Sequence, residues 1–263
     1  MNTERQESDH WISGLEGRVA IITGAGQGLG RAFALAFAKV GAKVVIAEFN
    51  AETGSRVVEE VRTVGGEAIF VQTDVGDHAS CVAMRDATLR AFGRIDILIN
   101  NAGIFSTLEM RPMEEIPLDE WQRVLHVNVT GAYYCSRVVV PVMKAAKWGR
   151  IVNMASGAVT LGRPNYLHYI TSKAALAGMA RSMARELGSY GITVNAMLPG
   201  ATFTEIERKT VSPEQKQKIV AMQCLPRPEV SQDLVGTMLF LCSPHSEFMT
   251  GQQVNVDGGA THL

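Results

Sequence analysis

Short apolar runs alternate along this chain with longer stretches whose apolar residues recur every three or four positions. The short runs are "RVAIIT", "AKVVIAE", "EAIFVQT", "IDILIN", "GRIVNMA", "GITVNAML" and "QQVNVDGG". They are almost continuously apolar rather than alternating, which predicts strands of a parallel sheet covered on both faces. Between them, residues 28–40, 51–64, 77–92, 118–146, 166–189 and 231–242 carry a helical period. Strand–helix alternation through the whole chain predicts a doubly wound α/β fold. No linker, low-complexity tract or internal repeat divides it. Residues 1–14 read as a flexible extension and 15–263 as a single domain. Residues 201–226, "ATFTEIERKTVSPEQKQKIVAMQCLP", break the rhythm after a strand. A long excursion there is read either as a substrate lid or as a surface insertion.

Composition narrows the function. Of 263 residues, 46% are hydrophobic and 19% charged, enough apolar material for a large core. A net charge of −1 gives no electrostatic case for nucleic acid or an anionic membrane. The polar N-terminus lacks the apolar core of a secretory signal, and no apolar stretch is long enough to span a bilayer. Cys81, Cys135, Cys224 and Cys242 have neither zinc nor redox spacing. They are read as reduced interior thiols of a cytoplasmic protein, and no metal site is expected.

The first strand runs into "TGAGQGLG", Thr23 to Gly30 with Gln27 and Leu29 inside it, and a helix opens at once. Glycines in such a turn let backbone N–H groups approach a pyrophosphate seated on the helix N-terminus. The spacing of Gly24, Gly28 and Gly30 differs from G-x-G-x-x-G, and the Lys-Ser/Thr of a P-loop is missing. The second strand ends in Glu48, 18 residues beyond Gly30. An acid there can accept hydrogen bonds from ribose hydroxyls and repels a 2′-phosphate, which favours NAD over NADP. Arg31, just inside the helix, is the nearby cation that argues the other way.

These parts belong to a longer ordered set: "TGAGQGLG", "DV" at 74–75, "NNAG" at 100–103, Asn128 in "NVTG", Ser156 in "NMASG", Tyr169–x₃–Lys173, "PG" at 199–200 and "TGQQVNVDGG". Over almost its full length the chain resembles the short-chain dehydrogenase/reductase family, compact one-domain type. The resemblance implies a Rossmann-type sheet of seven parallel strands in the order 3-2-1-4-5-6-7. It implies that Asp74 and Val75 hold adenine, that Asn101, Ala102 and Gly103 line the cofactor, and that Pro199, Gly200 and Thr202 meet the nicotinamide. Thr202 departs from the Val or Ile of the family pattern and adds a hydroxyl.

A phenol has a pKa of about 10 and is a poor base at neutral pH. Lowering it by about three units takes roughly 4 kcal/mol of differential stabilisation, which a neighbouring cation can supply. Tyr169 and Lys173 stand at i and i+4, so a helix puts them on one face with Cβ atoms about 5–6 Å apart. Tyr169 is thus the expected acid/base and Lys173 its tuning cation, with donors left for the nicotinamide ribose. Tyr166 lies about 10 Å along the axis from Lys173, too far for strong coupling. It is read as a pocket wall or as an aromatic cap on the helix. Ser156 ends the fifth strand, where its hydroxyl can bond the substrate oxygen. No nucleophile elbow surrounds it. The family role of Asn128 is to hold a water that relays protons from Lys173; a plain amide link between helix and strand is the other reading.

Phe105, within 104–107, Gly157 and Val159, Tyr166, Arg163 and the lid residues Phe203 and Ile206 are the expected pocket. Most are apolar or neutral, which fits a medium-sized secondary alcohol or ketone. The sequence therefore points to an NAD-dependent alcohol–ketone oxidoreductase. An NADPH-linked 3-oxoacyl carrier-protein reductase and a non-catalytic dinucleotide sensor are the alternatives. Small residues at 174–180 and "VVVPVM" at 138–143 suggest burial by a neighbouring subunit or a tight intra-chain contact, and the family resemblance implies a homotetramer.

Overall fold

The computed structural model describes residues 12–206 and 213–262. Residues 1–11 of the expected extension and 207–212 of the expected lid lie outside the described residues. Ile12 is buried in the core.

In chain order the elements are β1 (Val19–Thr23), α1 (Gly28–Lys39), β2 (Lys43–Glu48), α2 (Ala51–Thr63), β3 (Glu67–Gln72), α3 (His78–Phe92) and β4 (Ile97–Asn100). Then follow α4 (Leu118–Leu125), α5 (Gly131–Ala146), β5 (Gly149–Met154), α6 (Ala158–Leu161), α7 (Leu167–Leu187) and β6 (Ile192–Pro199). The last are α8 (Pro213–Ala221), α9 (Ser231–Cys242) and β7 (Gln253–Val256). Each of the seven apolar runs forms a strand. All pair in parallel, in the order β3-β2-β1-β4-β5-β6-β7. This is the fold that the resemblance implies.

β1, β4, β5 and β6 are buried at every position because their alternating side chains enter two different cores. Ala20, Ile22, Val44 and Ile46 pack against α1, α2 and α9 through Phe33, Phe37, Val57, Leu234 and Met238. Val19, Ile21, Val45 and Ala47 face the opposite layer, where α3, α5 and α7 contribute Cys81, Met84, Val139, Leu176 and Ala180. Each fully buried aliphatic side chain contributes about 1.5–3 kcal/mol, so both layers are needed to hold the sheet. Because every strand is parallel, Thr23, Glu48, Asn100, Met154 and Pro199 all finish at one sheet edge. In a doubly wound sheet that is the edge where ligands bind.

One expectation is refined and one corrected. Helical backbone runs through 118–146 as expected, but a π-helical turn, His126–Thr130, lies between α4 and α5. Within that turn the Asn128 amide is turned onto the backbone of Ile104, accepting from its N–H (2.7 Å) and donating to its carbonyl (3.2 Å). Gly131, which opens α5, also packs so closely on Val75 that an added Cβ would lie 2.8 Å from Val75 Cγ2. Of the four cysteines, Cys81, Cys135 and Cys242 are interior, but Cys224 is exposed. No helix among the described residues is long and apolar enough to cross a membrane.

Candidate active site

The glycine loop joins β1 to α1. Gly24 takes φ +63°, and a Cβ there would stand 2.8 Å from Ala102 Cα, so the tight crossing of the first and fourth strand exits requires glycine. Thr23 and Asn101 bolt those exits together. Thr23 Oγ1 accepts the N–H groups of Asn101 and Ala102 (both 3.0 Å), and Asn101 Nδ2 donates to the Thr23 and Gly24 carbonyls (2.9 and 3.0 Å).

The N-terminus of α1 has no side-chain cap and no acid in its own first turn. Its anion comes from 177 residues away: the Gly28 N–H donates to Glu205 Oε1 at 2.9 Å. A helix N-terminus that draws in a distant carboxylate has the donor set and the field for a phosphate oxygen. The loop therefore fits the pyrophosphate of a dinucleotide. Glu48 lies beside it, accepting from the Gly26 N–H (2.9 Å) and the Asn50 N–H (3.0 Å). Arg31 is engaged elsewhere, with its Nε 2.6 Å from Glu60.

Further along the same edge, one cavity of about 510 Å³ is lined by Ser156, Tyr169 and Lys173 together with Gly103, Phe105, Gly157 and Tyr166. Lys173 is buried, 6% exposed, and its Nζ donates to the Met154 carbonyl at 2.7 Å. Burial lowers its pKa to about 8, because an ammonium ion loses hydration there. The Nζ lies 5.8 Å from the centre of the Tyr169 ring. Ser156 Oγ accepts from the Ala158 N–H (3.2 Å), leaving its own O–H to donate. Phe105 packs on Tyr169 with ring centroids 4.6 Å apart, and Tyr166 meets Tyr169 edge-on at 6.3 Å. A hydroxyl, a phenol and a cation thus converge on one apolar space, an arrangement able to bind and protonate a substrate oxygen.

A family model described as enoyl-(acyl carrier protein) reductase matches residues 24–261. The 7alpha-hydroxysteroid dehydrogenase of Escherichia coli is 35% identical over 245 residues, covering 93% of this chain and 94% of that protein. The 3-oxoacyl-[acyl-carrier-protein] reductase of Synechocystis sp. is 38% identical over 251 residues, covering 94% and 98%. A solved structure of 7 alpha-hydroxysteroid dehydrogenase complexed with NADH and 7-oxo glycochenodeoxycholic acid superposes with a TM-score of 0.89 at 35% identity, covering 94% of this chain and 95% of that one. The chain belongs to the short-chain dehydrogenase/reductase family.

Within this oxidoreductase, not every expected residue meets the cavity. Pro199, Gly200, Thr202, Leu29 and Asn101 line it; Val159, Phe203 and Ile206 do not. Ile206 lies over the glycine loop, its Cδ1 2.8 Å from where a Cβ on Gly28 would be, and Phe203 is covered by Lys216 at 4.5 Å. Asn128 sits behind the cavity rather than in it, bonded to Ile104 and donating to Ser172 Oγ (3.0 Å). Gly103 stands between the two functional groups: a Cβ on it would lie 3.2 Å from Asn128 Oδ1 and 3.5 Å from Lys173 Nζ. Asp74 closes its own loop, accepting from the Gly76 N–H (2.8 Å), and Val75 is buried against Gly131. Tyr166 both precedes α7 as its N-cap residue and walls the cavity, so its two readings coexist.

Sequence reasoning missed the far wall. Ile219 and Met222, from α8 and its exit, face the cavity in place of Phe203 and Ile206. Their i, i+3 spacing in "KIVAMQ" was the available signal. It also missed Arg56, whose Nη2 donates to the Gly26 carbonyl at 3.2 Å. Glu229, buried behind Thr202, carried no local signal at all.

Proposed function

We propose that this protein is an NAD(H)-dependent dehydrogenase interconverting a secondary alcohol and a ketone, with Tyr169 as the acid/base. The observation that carries the reading is the convergence of Ser156, Tyr169 and the buried cation Lys173 on one apolar cavity. The glycine loop would hold the pyrophosphate, Glu48 the adenosine ribose, Asp74 and Val75 the adenine, and Pro199 to Thr202 the nicotinamide. When bound, the nicotinamide supplies or accepts the hydride at the carbinol carbon.

The chain's own residues handle the oxygen. Ser156 donates a hydrogen bond to it and fixes the carbonyl orientation. Tyr169 gives its phenolic proton to that oxygen during reduction and removes it during oxidation. The Lys173 ammonium stabilises the resulting phenolate, and its low-dielectric setting strengthens that attraction. Asn128 fixes the Ile104 backbone beside Gly103 and, with its π turn, provides a place for a water that links Lys173 to solvent. Phe105, Tyr166, Ile219 and Met222 present an apolar surface suited to an aromatic or alicyclic ketone.

NAD is favoured by Glu48 and by Glu60, which engages Arg31. Arg56 over the Gly26 carbonyl is the feature that keeps the NADPH-linked 3-oxoacyl carrier-protein reductase as a second reading. Separate titrations with NADH and NADPH decide between them: tighter NADH binding supports the first, tighter NADPH binding the second.

We also place the protein as a cytoplasmic homotetramer. Ala177, Ala180 and Ala184 of α7 pack into the core, but Ala174 and Gly178 point outward, and nothing lies within 4 Å of where a Gly178 Cβ would be. Tyr133 and Tyr190 are exposed as well. A sedimentation mass of four chains at micromolar concentration is the expected result, and a mass of one chain would overturn it.

A further inference from the structure

Thr202 belongs to the cavity wall, and its Oγ1 donates to Glu229 Oε1 at 2.5 Å. Glu229 lies between α8 and α9 and is 4% exposed. Its carbonyl also accepts the Phe203 N–H (2.8 Å), so the two segments are joined twice. The other carboxyl oxygen, Oε2, makes no well-formed hydrogen bond and has only the Gly200 backbone beside it. It would lie 2.6 Å from a Cβ on Gly200, so glycine is required at that point in the wall, and the Gly200 N–H is already donated to the Val256 carbonyl (2.9 Å).

A buried carboxyl with an unsatisfied oxygen costs more than it returns as packing, and an apolar side chain would fill the space without that penalty. The charged groups around it relieve little of the cost: Arg227 attracts it, but only weakly and while bound to Asp233. Asp257, after β7, has both oxygens occupied, by the Gly259 N–H and by Thr261. Asp233, in the first turn of α9, is paired with Arg227 at 2.6 Å. Among the described residues, no cation forms an ion pair with Glu229. Burial therefore raises its pKa to about 7, against the Thr202 hydrogen bond and a weaker one from the Gly200 backbone, and with added repulsion from Asp233 and Asp257.

We propose that Glu229 is a positioning residue for the nicotinamide end of the site. Acting through Thr202 and from behind Gly200, its carboxylate favours the positively charged ring of the oxidised dinucleotide over the neutral ring of the reduced one. The inference rests on the dinucleotide reading above. Because the carboxyl changes charge near neutral pH, the preference is graded: absent in acid and complete in mild base.

The test is to titrate the full-length protein with NAD⁺ and with NADH, from pH 5.5 to 8.5, and to follow the ratio of the two Kd values. In the wild type, NAD⁺ should gain on NADH by roughly tenfold across that range, the scale of one unit charge acting over about 10 Å at an effective dielectric constant of ~20. In Glu229→Gln the rise centred near pH 7 should vanish, leaving the acid-side ratio up to about pH 7.5 and only the change that Lys173 brings as it titrates near 8. Thr202→Val keeps the carboxyl but removes the bond that favours its charged form, so the midpoint should move to higher pH. A wild-type ratio that is flat with pH, or a Glu229→Gln ratio that still follows the wild type, overturns the proposal while leaving the dinucleotide reading intact. Failure of both dinucleotides to bind the wild type overturns the two together.

Discussion

The Nζ of Lys173 lies 5.8 Å from the centre of the Tyr169 ring, one helical turn back along α7, and is tied to the Met154 carbonyl of β5 at 2.7 Å. Helix and sheet together thus fix a cation beside a phenol inside an apolar cavity. The cation is held there at a cost, since burial lowers the Lys173 pKa to about 8.

That cost makes Lys173 a stability–activity trade-off. Its folded pKa is below the ordinary value of 10.5, so between about 8 and 10.5 the unfolded chain binds more protons and stability rises with pH. Below about 8 the full burial penalty is present, on the order of 3 kcal/mol. Lys173→Met should therefore raise Tm at pH 7 while lowering kcat by at least about 10²-fold. In the wild type, kcat/KM for ketone reduction should fall as pH rises above about 8. A Lys173→Met protein that is less stable at pH 7 would contradict the argument.

Glu229 shifts stability in the opposite pH sense. Its carboxyl titrates near 7 in the folded chain against an ordinary value of 4.5, so between those values the folded state binds more protons and stability falls as pH rises. The loss is on the order of 3 kcal/mol, complete above about pH 7. Urea unfolding of the wild type and Glu229→Gln at pH 5 and pH 8 should show the variant losing less between the two. Equal losses would remove Glu229 as the titrating group.

Glu205 occupies the N–H of Gly28 that a pyrophosphate would need. Replacing it with Gln or Ala should tighten NADH binding by roughly two- to fivefold, the scale of one charge at an exposed helix N-terminus. Weaker binding in both variants would mean that the carboxylate supports the loop rather than competing for it.

Much of this was legible in the sequence, and the reason is locality. Strands buried on both faces must be continuous apolar runs, and all seven runs became strands. Tyr169 and Lys173 needed only helical spacing to meet. The features missed depend on contacts between distant segments. Gly28 and Glu205 are 177 residues apart, and Thr202 and Glu229 are 27 apart, with nothing periodic to link them. The π turn holds Asn128 against Ile104, a contact 24 residues away that local helix propensity cannot encode. Within 201–226 the cavity-facing residues were expected at Phe203 and Ile206, and neither lines the cavity. The turn onto the glycine loop carries Ile206 away and leaves the wall to Ile219 and Met222.

That wall should set substrate choice. Met222→Ala enlarges the cavity at its apolar wall, so kcat/KM should shift toward bulkier ketones by about 10-fold or more while NADH affinity stays constant. An unchanged preference across a ketone panel would place the substrate elsewhere.

The central claim is that the Tyr169 phenol carries the proton. The direct measurement is ketone-dependent NADH oxidation by Tyr169→Phe, paired with NADH titration of the same protein. The account predicts that turnover falls by about 10²–10⁴-fold while the NADH Kd remains within a few-fold of the wild type. Full turnover with intact NADH binding would contradict it.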